Sequence, residues 1–131
     1  MAGYTVRNLK DDVDDQALNF GLSPQLESRM ARVPLELENF GLTYLRLEPG
    51  YRLPFGHTHK VQEEAYVVAS GSARAKLGDD VVELKQWDVV RVPNETMRSF
   101  EAGPQGVELI AVGAPSTGPG DANVEDAWWA D

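Results

Sequence analysis

The chain has no cysteine among its 131 residues. Disulfides, thiolate metal sites and cysteine nucleophiles are therefore excluded, and a reducing, cytoplasmic setting is expected. Histidine is nearly as scarce: His57 and His59 are the only two, so all imidazole chemistry is confined to one point in the chain. Positive charge is thin, with 12 Lys and Arg against 21 Asp and Glu and a net charge of −9. That balance argues against nucleic acid and against anionic membrane surfaces. No apolar run approaches the roughly 20 residues of a membrane span. The opening MAGYTVRNLKDDVDD has no apolar core of a secretory signal. Gly118-Pro119-Gly120 lacks the following helical pattern that a phosphate-cradling loop needs.

What is present is strand and turn. Thr43, Leu45 and Leu47 alternate with Tyr44, Arg46 and Glu48, and Glu48-Pro49-Gly50 closes the run. Residues 64–69 are rich in Tyr and Val. Ala73, Ala75 and Leu77 oppose Arg74 and Lys76, and Gly78-Asp79-Asp80 reads as a hairpin turn. Residues 81–84, 88–92, 96–100 and 107–112 continue the series. Short strands at roughly 8–12 residue spacing, with no amphipathic helix between them, predict an all-β sandwich or barrel. The expected layout is an arm and edge strand over 1–41, a barrel over 42–113 and an irregular tail over 114–131. Residues 26–33 read as a strand by weak alternation, against a short helix opened by Ser23-Pro24. Trp87 is expected in barrel packing. Trp128 and Trp129 are expected against the barrel or a partner subunit.

In a strand, residues two apart face the same side. His57 and His59 would thus aim both imidazoles into one space, and a carboxylate from the next strand would complete two nitrogens and one oxygen. Such a facial set suits Fe, Mn, Ni or Zn and leaves positions open for a ligand.

These residues resemble the first motif of the cupin superfamily: G, five or six residues, H-x-H, three or four residues, E, six residues, G. Gly50, His57, His59, Glu64 and Gly71 stand at that spacing; Glu63 does not have the six residues before the glycine. The second motif is degenerate. Pro93 matches, but Trp87 and Glu95 replace its glycines, Arg98 its histidine and Ala102 its asparagine. The chain also looks like small single-domain cupins of unassigned function, which share the phrases PFGH, QEE and VRVP followed by Arg. The resemblance implies a double-stranded β-helix, a homodimer, and a divalent metal on His57, His59 and Glu64.

Arg98 stands where metal-binding cupins carry a fourth ligand, and guanidinium has no lone pair to give. Thr96, Arg98 and Phe100 share one strand face, which Phe100 marks as the interior. A buried guanidinium must be paired. Its partner is either Glu64, in a metal-free site, or an anionic ligand held beside a metal. Tyr66 either lines this pocket or is a core aromatic, and Gln62 either contacts a ligand or is a loop polar group. The function expected is binding of a small organic anion. The alternatives are a metal-dependent oxygenase or isomerase acting on a small carboxylate, and a metal-free sensor or storage module.

Overall fold

The computed structural model describes residues 2–118 and 120–130. Its strands are β1 (Leu26–Met30), β2 (Gly41–Leu47), β3 (Phe55–His59), β4 (Glu63–Leu77), β5 (Asp80–Lys85), β6 (Val89–Val92), β7 (Arg98–Ala114) and β8 (Ala122–Asp126). A single 3-10 turn, Gln16–Leu18, is the one helical element among the described residues. All pairings are antiparallel.

Two long strands organise the molecule. Residues 107–113 of β7 lie between β2 and residues 63–71 of β4, and β1 and β6 extend this sheet at its two ends. Residues 98–102 of β7 pair with residues 73–77 of β4, and β3, β8 and β5 complete a second sheet. The sequence reads as separate short strands here because both long strands bend midway. At the bend, Gly71 has φ 74° and Gly106 φ 80°. A Cβ on Gly71 would fall 2.0 Å from the Gly106 carbonyl oxygen, so the strands cross at a point where no side chain fits. The result is a double-stranded β-helix. Its interior is filled by Leu47, Tyr66, Val68, Val92, Phe100, Val107 and Leu109, all buried, and the Tyr66 and Phe100 rings meet at 4.7 Å.

The N-terminal arm lies over the outer face of β1 and β2. Asp15 caps the 3-10 turn by accepting from the Ala17 N–H at 3.0 Å, and also takes the Ser28 N–H at 2.9 Å. Arg29 donates to the Lys10 and Val13 carbonyls. Under the arm, Glu27 is buried among Lys10 (3.1 Å), Arg29 (2.5 Å) and Arg46 (2.9 Å), with Tyr44 and Glu108 hydrogen-bonded to each other nearby. Burial alone would raise the Glu27 carboxyl, but Arg46, Arg29 and Lys10 outweigh it and hold the group at about 2, against an ordinary 4.5. Since the folded value is depressed, its stabilisation is present above pH 4.5 and is lost as pH falls towards 2. Allowing for solvent around Lys10, it amounts to on the order of 2 kcal/mol. Thermal melts between pH 6 and pH 2.5 should therefore converge for wild type and Glu27→Gln at the acid end, with wild type the more stable at neutral pH. A constant gap between the two curves would exclude this network as an acid-sensitive element.

Two expectations are corrected. Trp87 does not pack in the barrel: it is 69% exposed, in a turn where it takes φ 72°. The tail is not irregular throughout, because β8 pairs with β3 along its whole length, from Phe55↔Asp126 to His59↔Ala122. Every side chain of β8 is exposed. Backbone hydrogen bonding, not an alternating apolar face, makes it a strand. Trp129 does pack on the barrel, where it is buried.

Candidate metal centre

Four elements bring the site together at one end of the barrel. β3 carries His57 and His59 on one face, and its His57 lies in register with Arg98 at the start of β7. β4 brings Glu64 and, two residues on, Tyr66; β6 flanks both. The side chains meet at a single atom, Glu64 Oε1. His57 Nε2 lies 3.5 Å from it, His59 Nε2 3.2 Å, Arg98 Nη1 3.4 Å and the Tyr66 hydroxyl 2.5 Å. The two imidazoles are 5.0 Å apart and nearly perpendicular.

Satisfaction of these groups is incomplete. Tyr66 donates to Glu64, and Arg98 Nη2 donates to the Pro93 carbonyl at 2.7 Å. His59 Nε2, Arg98 Nε and Arg98 Nη1 are buried with no hydrogen-bond partner, so the approaches of His59 and Arg98 to Glu64 lack hydrogen-bond geometry. Arg98 is wholly buried, and an unpartnered buried guanidinium N–H is costly. One imidazole nitrogen and one guanidinium nitrogen thus approach the same carboxylate without hydrogen-bonding to it, and Arg98 Nε has no hydrogen-bond partner either.

The electrostatics follow from that crowding. Burial pushes the Glu64 carboxyl up, but His57, His59 and Tyr66 prevail and hold it far below the usual carboxylate range. Burial lowers His59, while the Glu64 and Asp121 carboxylates more than offset it and raise the ring overall. Tyr66 is pushed well above its ordinary value, first by burial and then by the charge of Glu64. It therefore stays protonated and donates.

The donor set fits a metal ion. Ligand bonds of about 2.0–2.2 Å place adjacent ligand atoms roughly 3.0–3.6 Å apart, the range that Glu64 keeps to both imidazoles. Among the described residues, His57, His59 and Glu64 are the one group of three such residues whose ligand atoms all lie within 4.8 Å of one another. The His57 side chain is the more exposed of the two, 23% against 11% for His59.

The geometry separates the residues named from sequence. Arg98 and Tyr66 share the interior with His57, His59 and Glu64. The Gln62 amide donates to the Pro115 carbonyl at 3.3 Å and packs on Gly113, the register partner of Glu64, where a Cβ would come 2.5 Å from its side-chain carbon. Asp121 was not foreseen. Its Oδ2 lies 2.9 Å from His59 Nδ1, and its Oδ1 accepts the Val61 N–H at 3.0 Å. It is 62 residues from its histidine, in a turn-like GPGD stretch that gives no sign of the contact. A separate groove of about 740 Å³, lined in part by Ser72, Arg74, Lys85 and Glu101, includes none of the centre's residues.

No family model matches the chain, and no curated protein does. Solved structures do. A cupin protein from Bacteroides fragilis is similar at 20% identity and TM-score 0.71, over 88% of this chain and 87% of that one. Oxalate decarboxylase from Bacillus subtilis is similar at 23% identity and TM-score 0.73, over 91% of this chain but 32% of the enzyme. A Streptomyces protein, PAC13, solved as a variant with uridine, gives 13% identity and TM-score 0.73, over 96% and 93% of the two chains. At these identities the likeness establishes the fold, a small cupin barrel, and leaves the chemistry to the site.

Proposed function

We propose that this cupin barrel binds a small organic anion at a divalent metal held by His57, His59 and Glu64, with Arg98 as the anion's clamp and Tyr66 beside it. The observation that carries this reading is the set of buried atoms without partners. With the ring proton on Nδ1 beside Asp121, His59 Nε2 offers a lone pair, which a cation satisfies; Arg98 Nε and Nη1 offer donors, which only an acceptor satisfies. A cation and an anion together answer both. Charge points the same way. Glu64 and Arg98 cancel, so a divalent ion leaves +2 in a confined space, and a carboxylate reduces it. The bound metal would supply Lewis-acid polarisation of the anion. The chain's own residues would orient it through Arg98 and hold Glu64 through Tyr66. Oxalate decarboxylase, by its name, acts on a small dicarboxylate, and PAC13 was solved with uridine; both are small polar molecules. Three protein ligands leave coordination positions open, so a metal-dependent oxygenase or isomerase acting on such an acid is the enzymatic form of the same reading.

A metal-free sensor or storage site is the second reading, favoured by the 3.4 Å approach of Arg98 to Glu64. It ranks lower because that approach is not a hydrogen bond and leaves the buried atoms without partners. Isothermal titration of metal-loaded protein with small carboxylates and their matching amides tests the choice. Carboxylate binding at least about tenfold tighter than amide binding, dependent on metal, is expected. Equal affinity for both would reject the anion clamp.

The barrel is further proposed to work as a homodimer joined partly through residues 1–40. Of the large hydrophobic side chains left exposed, Tyr4, Val6, Leu18, Phe20, Met30, Val33 and Phe40 all lie in this segment, a concentration that marks interaction surfaces. Light scattering at micromolar concentration should give twice the 14.4 kDa chain mass; a monomer mass would refute the pairing.

A further inference from the structure

Residues 120–130 run along β3 as a strap fastened at both ends. Near its start, Asp121 grips the loop between β3 and β4: Oδ1 accepts from Val61 N–H at 3.0 Å, and Oδ2 faces His59 Nδ1 at 2.9 Å, with the Gln62 N–H and the Thr117 hydroxyl both at 3.4 Å. Near its far end, the buried Trp129 lies 4.3 Å from the Arg52 guanidinium, and its carbonyl accepts from Arg52 at 2.9 Å. Trp128 covers Gly56, where a Cβ would approach it to 2.6 Å. Between these anchors β8 pairs with β3, the strand that carries both histidines.

We infer that Asp121 is a positioning residue for the centre: delivered by this strap, it fixes the proton of His59 on Nδ1, so that Nε2 presents its lone pair towards Glu64. The inference deepens the metal reading and rests on it. Each nitrogen of the ring faces a carboxylate, and the two compete for its proton. Asp121 has the better position, at 2.9 Å and within hydrogen-bond geometry, whereas Glu64 lies at 3.2 Å without it and already accepts from Tyr66. A carboxylate behind a ligating imidazole sets its tautomer and raises its basicity, and loss of such a partner costs about 10–100-fold in metal affinity.

Asparagine exposes the dependence. Asp121 uses both oxygens as acceptors, and the backbone N–H of Val61 cannot change its role. The Gln62 N–H on the other oxygen is the longer contact, 3.4 Å against 3.0 Å, so an amide keeps its oxygen at Val61 and turns its NH₂ to His59 Nδ1, which drives the ring proton to Nε2, where it blocks a metal. Long-range ¹H–¹⁵N correlation of the two imidazoles, at a pH where both rings are neutral, reads the tautomer directly, and a merely structural role would not switch it. In metal-free wild type His59 should carry its proton on Nδ1. In Asp121→Asn it should move to Nε2, and zinc affinity should fall about 10–100-fold. Proton on Nε2 in the wild type overturns the inference without any variant having to fold. So does a tautomer switch that leaves zinc affinity unchanged, or an unchanged tautomer in a folded Asp121→Asn. If wild type binds no zinc at all, the metal reading falls, while the wild-type tautomer still decides whether Asp121 orients the ring.

Discussion

Arg98→Met should abolish detectable binding of small carboxylates while leaving metal uptake intact. The guanidinium is wholly buried and two of its nitrogens lack hydrogen-bond partners, so an anion meeting it forms charge-assisted hydrogen bonds away from water. Truncating one member of such a pair costs on the order of 2–5 kcal/mol, roughly 30-fold or more in affinity. Methionine matches much of the side-chain length and removes the donors. Glu64 keeps Tyr66 and the two imidazoles within 3.5 Å, so the fold should lose less than the ligand does. If instead the melting temperature collapses and carboxylate binding persists, Arg98 is chiefly the cation partner of Glu64, since a stranded buried carboxylate is strongly destabilising. Arg98→His adds an independent measurement. Position 98 is in register with His57, so a histidine there would face the other two and should raise metal affinity. Absence of any gain would mean that the side chain at this position does not reach the centre.

His59→Ala is expected to remove the metal and its stabilising effect together. Untagged wild-type protein should hold about one transition-metal ion per chain by mass spectrometry. At a free metal concentration 100 times Kd, binding adds about 2.7 kcal/mol to the folded state. For a domain of this size that raises Tm by roughly 10 °C. The alanine variant should show neither the ion nor the shift. His59 is the sharper choice of the two histidines because its Nε2 is the buried acceptor without a partner, whereas the His57 side chain is more exposed. Wild-type protein whose melting curve ignores Fe, Mn, Ni and Zn alike would rule out a metal centre on these residues.

Much of this was legible in the chain because strand periodicity is a local signal. Alternation through residues 42–47 and 73–77 revealed inward faces, and the same period put both histidines on one side of β3. Phe100 supplied the direction of Arg98 two residues earlier, and Arg98 is indeed in the interior. Alternation sets Ser99 and Glu101 on the face opposite Arg98 and Phe100, and there it is a poorer guide to burial. Ser99 is buried because β3 covers it and its hydroxyl donates to the Phe55 carbonyl at 2.8 Å. Contacts that depend on long-range return of the chain left no trace. Nothing in Ala-Asn-Val-Glu-Asp suggests a strand, since its ordering comes from the open edge of β3, and nothing near Asp121 points to an imidazole in the middle of the sequence.

The crossing of β4 and β7 at Gly71 and Gly106 bears on how the chain acquires its shape. Each sheet requires half of β7, and β7 is the seventh strand of eight to be synthesised. Before it emerges, β2 and β3 have no inner neighbour to pair with, and β4 has only the hairpin with β5 and its contact with β6. Both sheets wait on β7, so closure is governed by pairings distant in sequence, a topology that slows folding and leaves the unclosed chain open to association. Histidines, carboxylate and guanidinium are thus brought together only by that closing step, and no independently folded fragment of this barrel carries the whole centre.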